Sequence, residues 1–168
     1  MPYAQAEGAR LYYEETGTGH PIIFVHEFYA DYRTWETQVR WFSREYRCIT
    51  FNARGYPPSD VPRDDALYSQ DFATDDIAAV LRHLGIARAH VVGLSMGASA
   101  TLHFGMRYPT MATALVAAGC GSGATDMASF KTQSIAMAER WRSEGAARIA
   151  AESAVGPTRV QLRNKDLR

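Results

Sequence analysis

A serine lies at the centre of the segment Gly93-Leu94-Ser95-Met96-Gly97. The segment follows an apolar run and precedes a helical pattern, which is the setting that a nucleophile elbow requires. A serine on such a turn projects its hydroxyl above a sheet, where it can attack a carbonyl carbon. Gly93 and Gly97 keep the turn clear of side chains, and the helix that follows presents N-terminal amides to a developing oxyanion. Ser95 is therefore predicted to be a nucleophile.

Two other interpretations of this segment are less favoured. A cluster of small residues can mark nothing more than a tight turn between a strand and a helix. A phosphate-binding loop needs Gly-x-Gly-x-x-Gly, or Gly-Lys followed by Ser or Thr, and the segment has neither.

A serine nucleophile also needs a base, and the base needs an acid that orients it. His103 follows Ser95 by two helical turns, on the order of 12 Å at about 1.5 Å per residue, which is too far for proton transfer. We expect structural or surface positions for the other histidines, namely His20, His26, His83 and His90. The sequence therefore shows a nucleophile without a base.

The elements that must position Ser95 alternate along the chain. Short apolar runs are typical of strands buried on both faces, and helical spacing separates them. The predicted strands are 9–15, 21–25, 48–51, 90–94 and 112–118, and the predicted helices are about 32–44, 69–84, 98–108 and 127–154. This alternation predicts an α/β fold with a parallel, doubly wound sheet and helices on both faces.

Three landmarks together resemble the α/β-hydrolase family. They are Phe24-Val25-His26-Glu27-Phe28, then Asn52-Ala53-Arg54-Gly55, and the elbow at Ser95. The resemblance implies a mostly parallel, doubly wound sheet of the α/β-hydrolase type, with the chain ending soon after the strand at 112–118 and the start of a helical cap. We expect residues 1–123 to be the N-terminal part of the core and residues 124–168 to begin the cap.

The same resemblance implies the residues that support the nucleophile. Backbone N–H groups of Phe28 and Met96 would form the oxyanion hole, and His26 would buttress its loop. Arg54 would tie loops together near the site, although a solvated loop arginine is an equal alternative. Glu27 replaces the usual glycine, and we expect its side chain to point away and pair elsewhere.

For function, the resemblance implies a serine hydrolase acting on a small carbonyl substrate, an ester, a lactone or a carbon–carbon bond, through an acyl-enzyme. Serine at the elbow argues against a dehalogenase or an epoxide hydrolase. In the family the acid and histidine usually follow the cap, so both are expected to be missing here, and Asp126 is only a weak candidate for the acid. The alternatives are a catalytically inactive ligand-binding module and a half-domain that needs a partner chain.

Composition restricts the partners. The chain has 18 Lys and Arg, 18 Asp and Glu, and a net charge of +0, which gives no reason to expect nucleic acid or an anionic membrane. Cys48 and Cys120 lack metal-site spacing and are expected to be free thiols of a cytoplasmic protein, because no signal peptide or membrane span is evident. A disulfide between them is the less favoured alternative. No cofactor and no metal are expected. A small-molecule substrate is the expected partner. A homo-oligomer formed through an open sheet edge is one alternative.

Overall fold

The computed structural model of the chain describes residues 2–121 and 126–155. They belong to two compact units, one within 1–121 and one within 122–168. The boundary that we placed between 123 and 124 lies outside the described residues.

The first unit is built on one six-stranded sheet with the strand order β1-β2-β4-β3-β5-β6. Strands β3 to β6 are parallel, whereas β1 and β2 run antiparallel at one side. The strands are β1 (Tyr3–Ala6), β2 (Ala9–Thr16), β3 (His20–Val25), β4 (Tyr46–Phe51), β5 (Ala89–Leu94) and β6 (Ala112–Ala118). The mostly parallel sheet is confirmed. Strand β1 was not predicted because it is only four residues long and carries no marked alternation.

Three helices cover this sheet: α1 (Glu36–Phe42), α2 (Gln70–His83) and α3 (Met96–Arg107). The helix predicted over 32–44 is divided, since a 3-10 turn capped by the Asp31 carboxylate occupies Tyr32–Trp35 before α1 begins. Helix α2 starts where Ser69 accepts a hydrogen bond from the Phe72 amide. Helix α3 begins two residues earlier than predicted, directly after Ser95.

Side chains that alternate along the strands face two different layers of helices. Ile23 and Val25 of β3 belong to the large core that includes α2 and α3. Ile22 and Phe24 pack on the opposite face with the buried Trp35, beside α1. The helices on both faces confirm the doubly wound arrangement, and burial on both faces explains why β3 reads as a continuous apolar run.

Strand β6 is the open apolar edge of the sheet that we expected. Its apolar run, which by itself is typical of a strand buried on both faces, leaves Leu115 39% exposed and Val116 52% exposed. The reason is its position, because β6 is the last strand of the sheet among the described residues and pairs only with β5.

The second unit contains α4 (Met127–Glu144) and α5 (Ala146–Ala154). Gly145, with φ 82°, separates the two helices where a continuous helix was predicted. The Asp126 carboxylate accepts a hydrogen bond from the Ser129 amide at 3.0 Å and caps α4. Within the described ranges, no helix is long and apolar enough to cross a membrane.

Candidate active site

Ser95 occupies the sharp turn between β5 and α3. Its backbone has φ 52° and ψ −111°, the only positive φ of a described residue other than glycine. The Ser95 amide donates to the carbonyl of Ala118 at 2.9 Å, which ties the turn to β6. The side chain is exposed and does not cap α3. A non-glycine residue in this conformation is strained, and strain of this kind is concentrated at functional sites.

The two glycines of the turn are required by close backbone approach. A Cβ on Gly93 would lie 2.2 Å from the carbonyl oxygen of Gly97 and 2.4 Å from Oγ1 of Thr101. A Cβ on Gly97 would lie 2.2 Å from the carbonyl oxygen of Val25 and 2.7 Å from that of His26. The missing side chains therefore let the first turn of α3 sit directly against the end of β3.

This close packing brings Phe28 and Met96 to the same edge of the sheet as Ser95. Met96 is the first residue of α3, so its amide lies at the positive end of that helix. Phe28 is in the loop after β3, with a side chain that is 53% exposed. Among the described residues, neither amide donates to another group, which leaves both N–H groups able to bind an oxyanion.

His26 is buried and engaged at both ring nitrogens. Nε2 is 3.1 Å from the Ala53 amide and must accept that hydrogen bond, so Nδ1 carries the proton and donates to the carbonyl of Glu27 at 2.8 Å. Burial lowers the pKa of His26, which keeps the ring neutral. The histidine joins the loops after β3 and β4 and has no nitrogen left to accept a proton from Ser95.

Glu27 turns back onto its own loop. Its carboxylate accepts a hydrogen bond from the Tyr29 amide at 2.9 Å, and its carbonyl accepts one from the Ala30 amide at 3.3 Å. The carboxylate thus takes part in the turn that follows β3.

Arg54 lies deep in the first unit and is not a solvated loop residue. Its guanidinium makes a bidentate ion pair with Asp76 of α2, with contacts of 2.8 and 2.6 Å, and both side chains are buried. It also donates to the carbonyls of Glu7 and Leu67 and stacks over the ring of Phe72. Arg54 therefore links the β1–β2 turn, the loop before α2, and α2 itself.

Asn52 uses both the oxygen and the nitrogen of its side-chain amide. Its Oδ1 accepts from the Tyr32 amide at 2.8 Å, while Nδ2 donates to the carbonyls of Pro57 at 2.8 Å and Tyr56 at 3.3 Å. A carboxylate could not donate the second pair of bonds.

Tyr56 was missed by the sequence interpretation. Its hydroxyl donates to the carbonyl of Phe28 at 2.9 Å and lies 3.8 Å from Sδ of Met96. Its ring meets that of His26 edge-on, with 4.6 Å between centroids. The position next to Gly55 was the only available signal, and a tyrosine in a polar loop is not distinctive by itself.

The remaining histidines lie away from Ser95. His90 enters β5 five residues before Ser95, which is about 16 Å at about 3.3 Å per strand residue. Its ring lies against that of His20, tilted by 56° with centroids 4.4 Å apart, and the ring of His83 packs on Tyr13. On α3, Nδ1 of His103 is 2.8 Å from the carbonyl of Ser99. The structure therefore brings Ser95, Phe28, Met96 and His26 together but places no histidine as a base.

Residues 20–155 match the family model of the alpha/beta hydrolase fold. Among curated proteins, epoxide hydrolase 3 of Mus musculus is 31% identical over 120 residues, which are 70% of this chain and 33% of that protein. A putative non-heme bromoperoxidase of Mycobacterium tuberculosis is 39% identical over 90 residues, or 52% of this chain and 33% of that protein. The chain thus spans about a third of the length of these curated relatives.

Solved structures show the same architecture. A thermophilic esterase from Thermogutta terrifontis has a TM-score of 0.79 and 30% identity, covering 89% of this chain and 55% of that chain. The enol-lactonase from Burkholderia xenovorans LB400 also has a TM-score of 0.79, at 23% identity, covering 90% of this chain and 58% of that chain. The second likeness shows the shared fold.

Proposed function

The chain belongs to the α/β hydrolase fold family, and on this basis we propose that Ser95 is the nucleophile of a serine hydrolase that acts on a small carbonyl substrate. Ser95 Oγ attacks the carbonyl carbon and gives its proton to a base, and the carbonyl oxygen becomes an oxyanion held by the Phe28 and Met96 amides. Collapse of this intermediate breaks the bond to the leaving group, which departs with that proton, and leaves an acyl ester on Ser95. Water then cleaves that ester and restores the serine.

One observation supports this proposal above the others. Ser95 is held in a strained backbone conformation, φ 52°, beside two amides that have no acceptor among the described residues. A turn that served only to connect β5 with α3 would be less strained with glycine at this position. Retaining a serine there is reasonable if its hydroxyl is needed.

The identity of the nucleophile favours carbonyl substrates. A serine that opened an epoxide would be left as an alkyl ether, which water does not cleave under mild conditions. A serine that attacks an ester, a lactone or the carbonyl beside a breaking carbon–carbon bond forms an acyl ester, which water does cleave. We therefore propose one of these substrate classes, although several relatives are named as epoxide hydrolases.

The base and its orienting acid must be groups other than those that surround Ser95 here. All five histidines of the sequence are described, and none is placed to take the Ser95 proton. The same observation favours a second candidate function. The chain would then be a ligand-binding module, or a half-domain that does not catalyse a reaction by itself. In that case the exposed edge strand β6 is the surface that we propose for pairing with a second copy of the chain.

We propose the cytoplasm as the location of the protein. Cys48 and Cys120 are both free thiols, which is the usual state of cysteines in a reducing compartment. No nucleic-acid or membrane partner is proposed, since the net charge is +0.

Labelling with a fluorophosphonate tests the nucleophile. Ser95 Oγ would bond to phosphorus, fluoride would leave, and the serine proton would pass to solvent. We expect one adduct by intact-mass spectrometry on the wild type, after long incubation at millimolar reagent up to about pH 9, and none on Ser95→Ala. Ser99→Ala is the matched control, because Ser99 lies one turn further along α3. Equal labelling of the wild type and Ser95→Ala, or no labelling of either, would contradict the proposal.

A further inference from the structure

The loop after β3 is bonded at almost every polar backbone group around Phe28. The peptide between Glu27 and Phe28 has its carbonyl held by Nδ1 of His26 and by the Ala30 amide. The peptide between Phe28 and Tyr29 has its carbonyl held by the Tyr56 hydroxyl and its N–H held by the Glu27 carboxylate. Of the four polar groups in these two peptides, only the Phe28 N–H is left for an external acceptor among the described residues.

One of these hydrogen bonds comes from outside the loop after β3: Tyr56, in the loop after β4, donates it to the carbonyl of Phe28. Its hydroxyl has one proton to donate, and the carbonyl of Phe28 at 2.9 Å is a stronger and nearer acceptor than Sδ of Met96 at 3.8 Å. The bond to Phe28 is therefore the one that holds the loop. The contact with sulfur places the same hydroxyl beside Met96, whose amide is the other predicted donor to the oxyanion.

Tyr56 is itself firmly held. Its amide donates to the carbonyl of Ala53 at 3.1 Å, and its own carbonyl accepts from Nδ2 of the buried Asn52. Its ring packs edge-on against the buried ring of His26. A hydroxyl on so fixed a side chain restricts the orientation of the peptide that it binds.

The hydroxyl also stays a donor over the useful pH range. Burial, together with the negative charge of Glu27, raises the pKa of Tyr56 to about 12. The phenol is therefore protonated throughout the range in which a serine hydrolase is assayed.

We propose that Tyr56 is a positioning residue of the oxyanion hole. Its hydroxyl fixes the Phe28–Tyr29 peptide and so restricts rotation of the Phe28 backbone, which keeps the preceding peptide and its Phe28 N–H in place for the oxygen of a carbonyl bonded to Ser95. This inference rests on the proposed function. Tyr56 does not touch the reacting atoms, and it acts through the backbone of Phe28.

The test replaces one hydroxyl and follows two quantities. Tyr56→Phe keeps the ring against His26 and removes only the donor. Tyr68→Phe is the matched control, because its hydroxyl also donates to a backbone carbonyl at 2.9 Å, that of Pro62, away from the loop after β3. For each variant, fluorophosphonate labelling of Ser95 gives the maximal rate kinact and the half-saturating concentration KI, and hydrogen exchange reports the bonded amides of Tyr29 and Ala30.

In Tyr56→Phe we expect kinact to fall about tenfold with KI unchanged, since removing an oxyanion donor outright costs more, about 100-fold or greater. Exchange of the Tyr29 and Ala30 amides should also become faster. Tyr68→Phe should change neither quantity by more than about twofold, a range set by the small net value of one exposed hydrogen bond. A lowered kinact in Tyr56→Phe with faster exchange at this loop alone is not the signature of general destabilisation, which would raise amide exchange throughout the six-stranded sheet.

The outcomes separate this inference from the function on which it rests. If the wild type is labelled and Tyr56→Phe has the kinact of Tyr68→Phe, the positioning role is overturned while Ser95 remains the nucleophile. If exchange of the Tyr29 and Ala30 amides is the same in both variants, Tyr56 does not hold the loop and the inference is wrong. If exchange rises but the wild type is never labelled at Ser95, it is the proposed function that fails.

Discussion

Gly97 faces the end of β3 so closely that a Cβ there would lie 2.2 Å from the carbonyl oxygen of Val25. The first turn of α3 and the strand that leads into Phe28 are therefore in backbone contact. Because a parallel sheet delivers the C-terminal ends of its strands to one edge, this contact holds the elbow and the start of the Phe28 loop side by side at that edge. The elbow and the loop after β3 are therefore expected to respond together to a substitution in either one.

Substituting Gly97 should destabilise the protein where the elbow contacts β3. In Gly97→Ala the new methyl would meet backbone oxygens of Val25 and His26, which cannot move without shifting β3, so we expect a loss of about 3 kcal/mol in the free energy of unfolding. Urea unfolding measures it.

Gly105→Ala is the control in the same helix. Its Cβ would meet only the tip of the Leu115 side chain, at 2.3 Å, and that side chain is partly exposed and free to move. The gain in helix propensity offsets part of the cost, so the net change should be within about 1 kcal/mol. If Gly97→Ala and Gly105→Ala lose equal free energy of unfolding, the close approach of Gly97 to Val25 is not what makes the first substitution costly.

Ser95 should show the cost of its backbone conformation. With φ at 52°, a glycine fits better than an alanine, although glycine is usually the less stable of the two by about 1 kcal/mol. We expect Ser95→Gly to be more stable than Ser95→Ala by about 1–2 kcal/mol in urea unfolding, the strain being of that order. Neither variant should be labelled by the fluorophosphonate. A Ser95→Ala protein as stable as Ser95→Gly would mean that the elbow is unstrained.

His26 should make the stability of the fold depend on pH. Burial lowers its pKa in the folded protein below the ordinary value of 6.5, whereas the unfolded chain keeps that value. Below pH 6.5 the unfolded chain therefore binds more protons than the folded protein, and the free energy of unfolding falls as the pH falls. Protonated Nε2 could no longer accept from the Ala53 amide.

His26→Gln provides the comparison, because an amide oxygen can accept from Ala53 and does not titrate. Urea unfolding at pH 7.5, 6.5 and 5.5 should give a shallower decline for this variant than for the wild type. Some decline should remain, since burial and the neighbouring His20 also lower the pKa of His90. Parallel curves for the two proteins would show that His26 is not the group responsible.

The edge strand should control self-association. Val116 is 52% exposed on β6, and a lysine there would place a charge where a second copy of the chain is proposed to pair. We expect Val116→Lys to reduce the mass measured by light scattering relative to the wild type. Met106→Lys adds the same charge on the exposed surface of α3 and should leave the mass unchanged. A wild type that is monomeric at all concentrations would rule out the pairing.

The local features of the chain were predictable because they depend on neighbours in sequence. The alternation of apolar runs with helical spacing gave the β3, β5 and α2 segments to within about two residues, which is the usual spread of element boundaries. Gly93 and Gly97 around Ser95 predicted the strand–turn–helix because few other residues fit so tight a turn. The division at Gly145 was missed, since a single glycine is tolerated in many helices.

Contacts between distant parts of the chain could not be read in the same way. The apolar sequence of β6 is equally suited to a central and an edge strand, and only the strand order shows that Val116 is exposed. Arg54 had two equal interpretations until the fold placed Asp76 beside it.

By itself, the sequence determined a parallel α/β sheet with a serine at a strand–helix turn. These follow from side-chain periodicity and from the backbone freedom of glycine, which are properties of short segments. Only the tertiary structure decided that His26 has both nitrogens bonded and that Tyr56 holds the Phe28 peptide. Hydrogen bonds between loops that are some 30 residues apart depend on where the sheet brings those loops, and no local pattern encodes that.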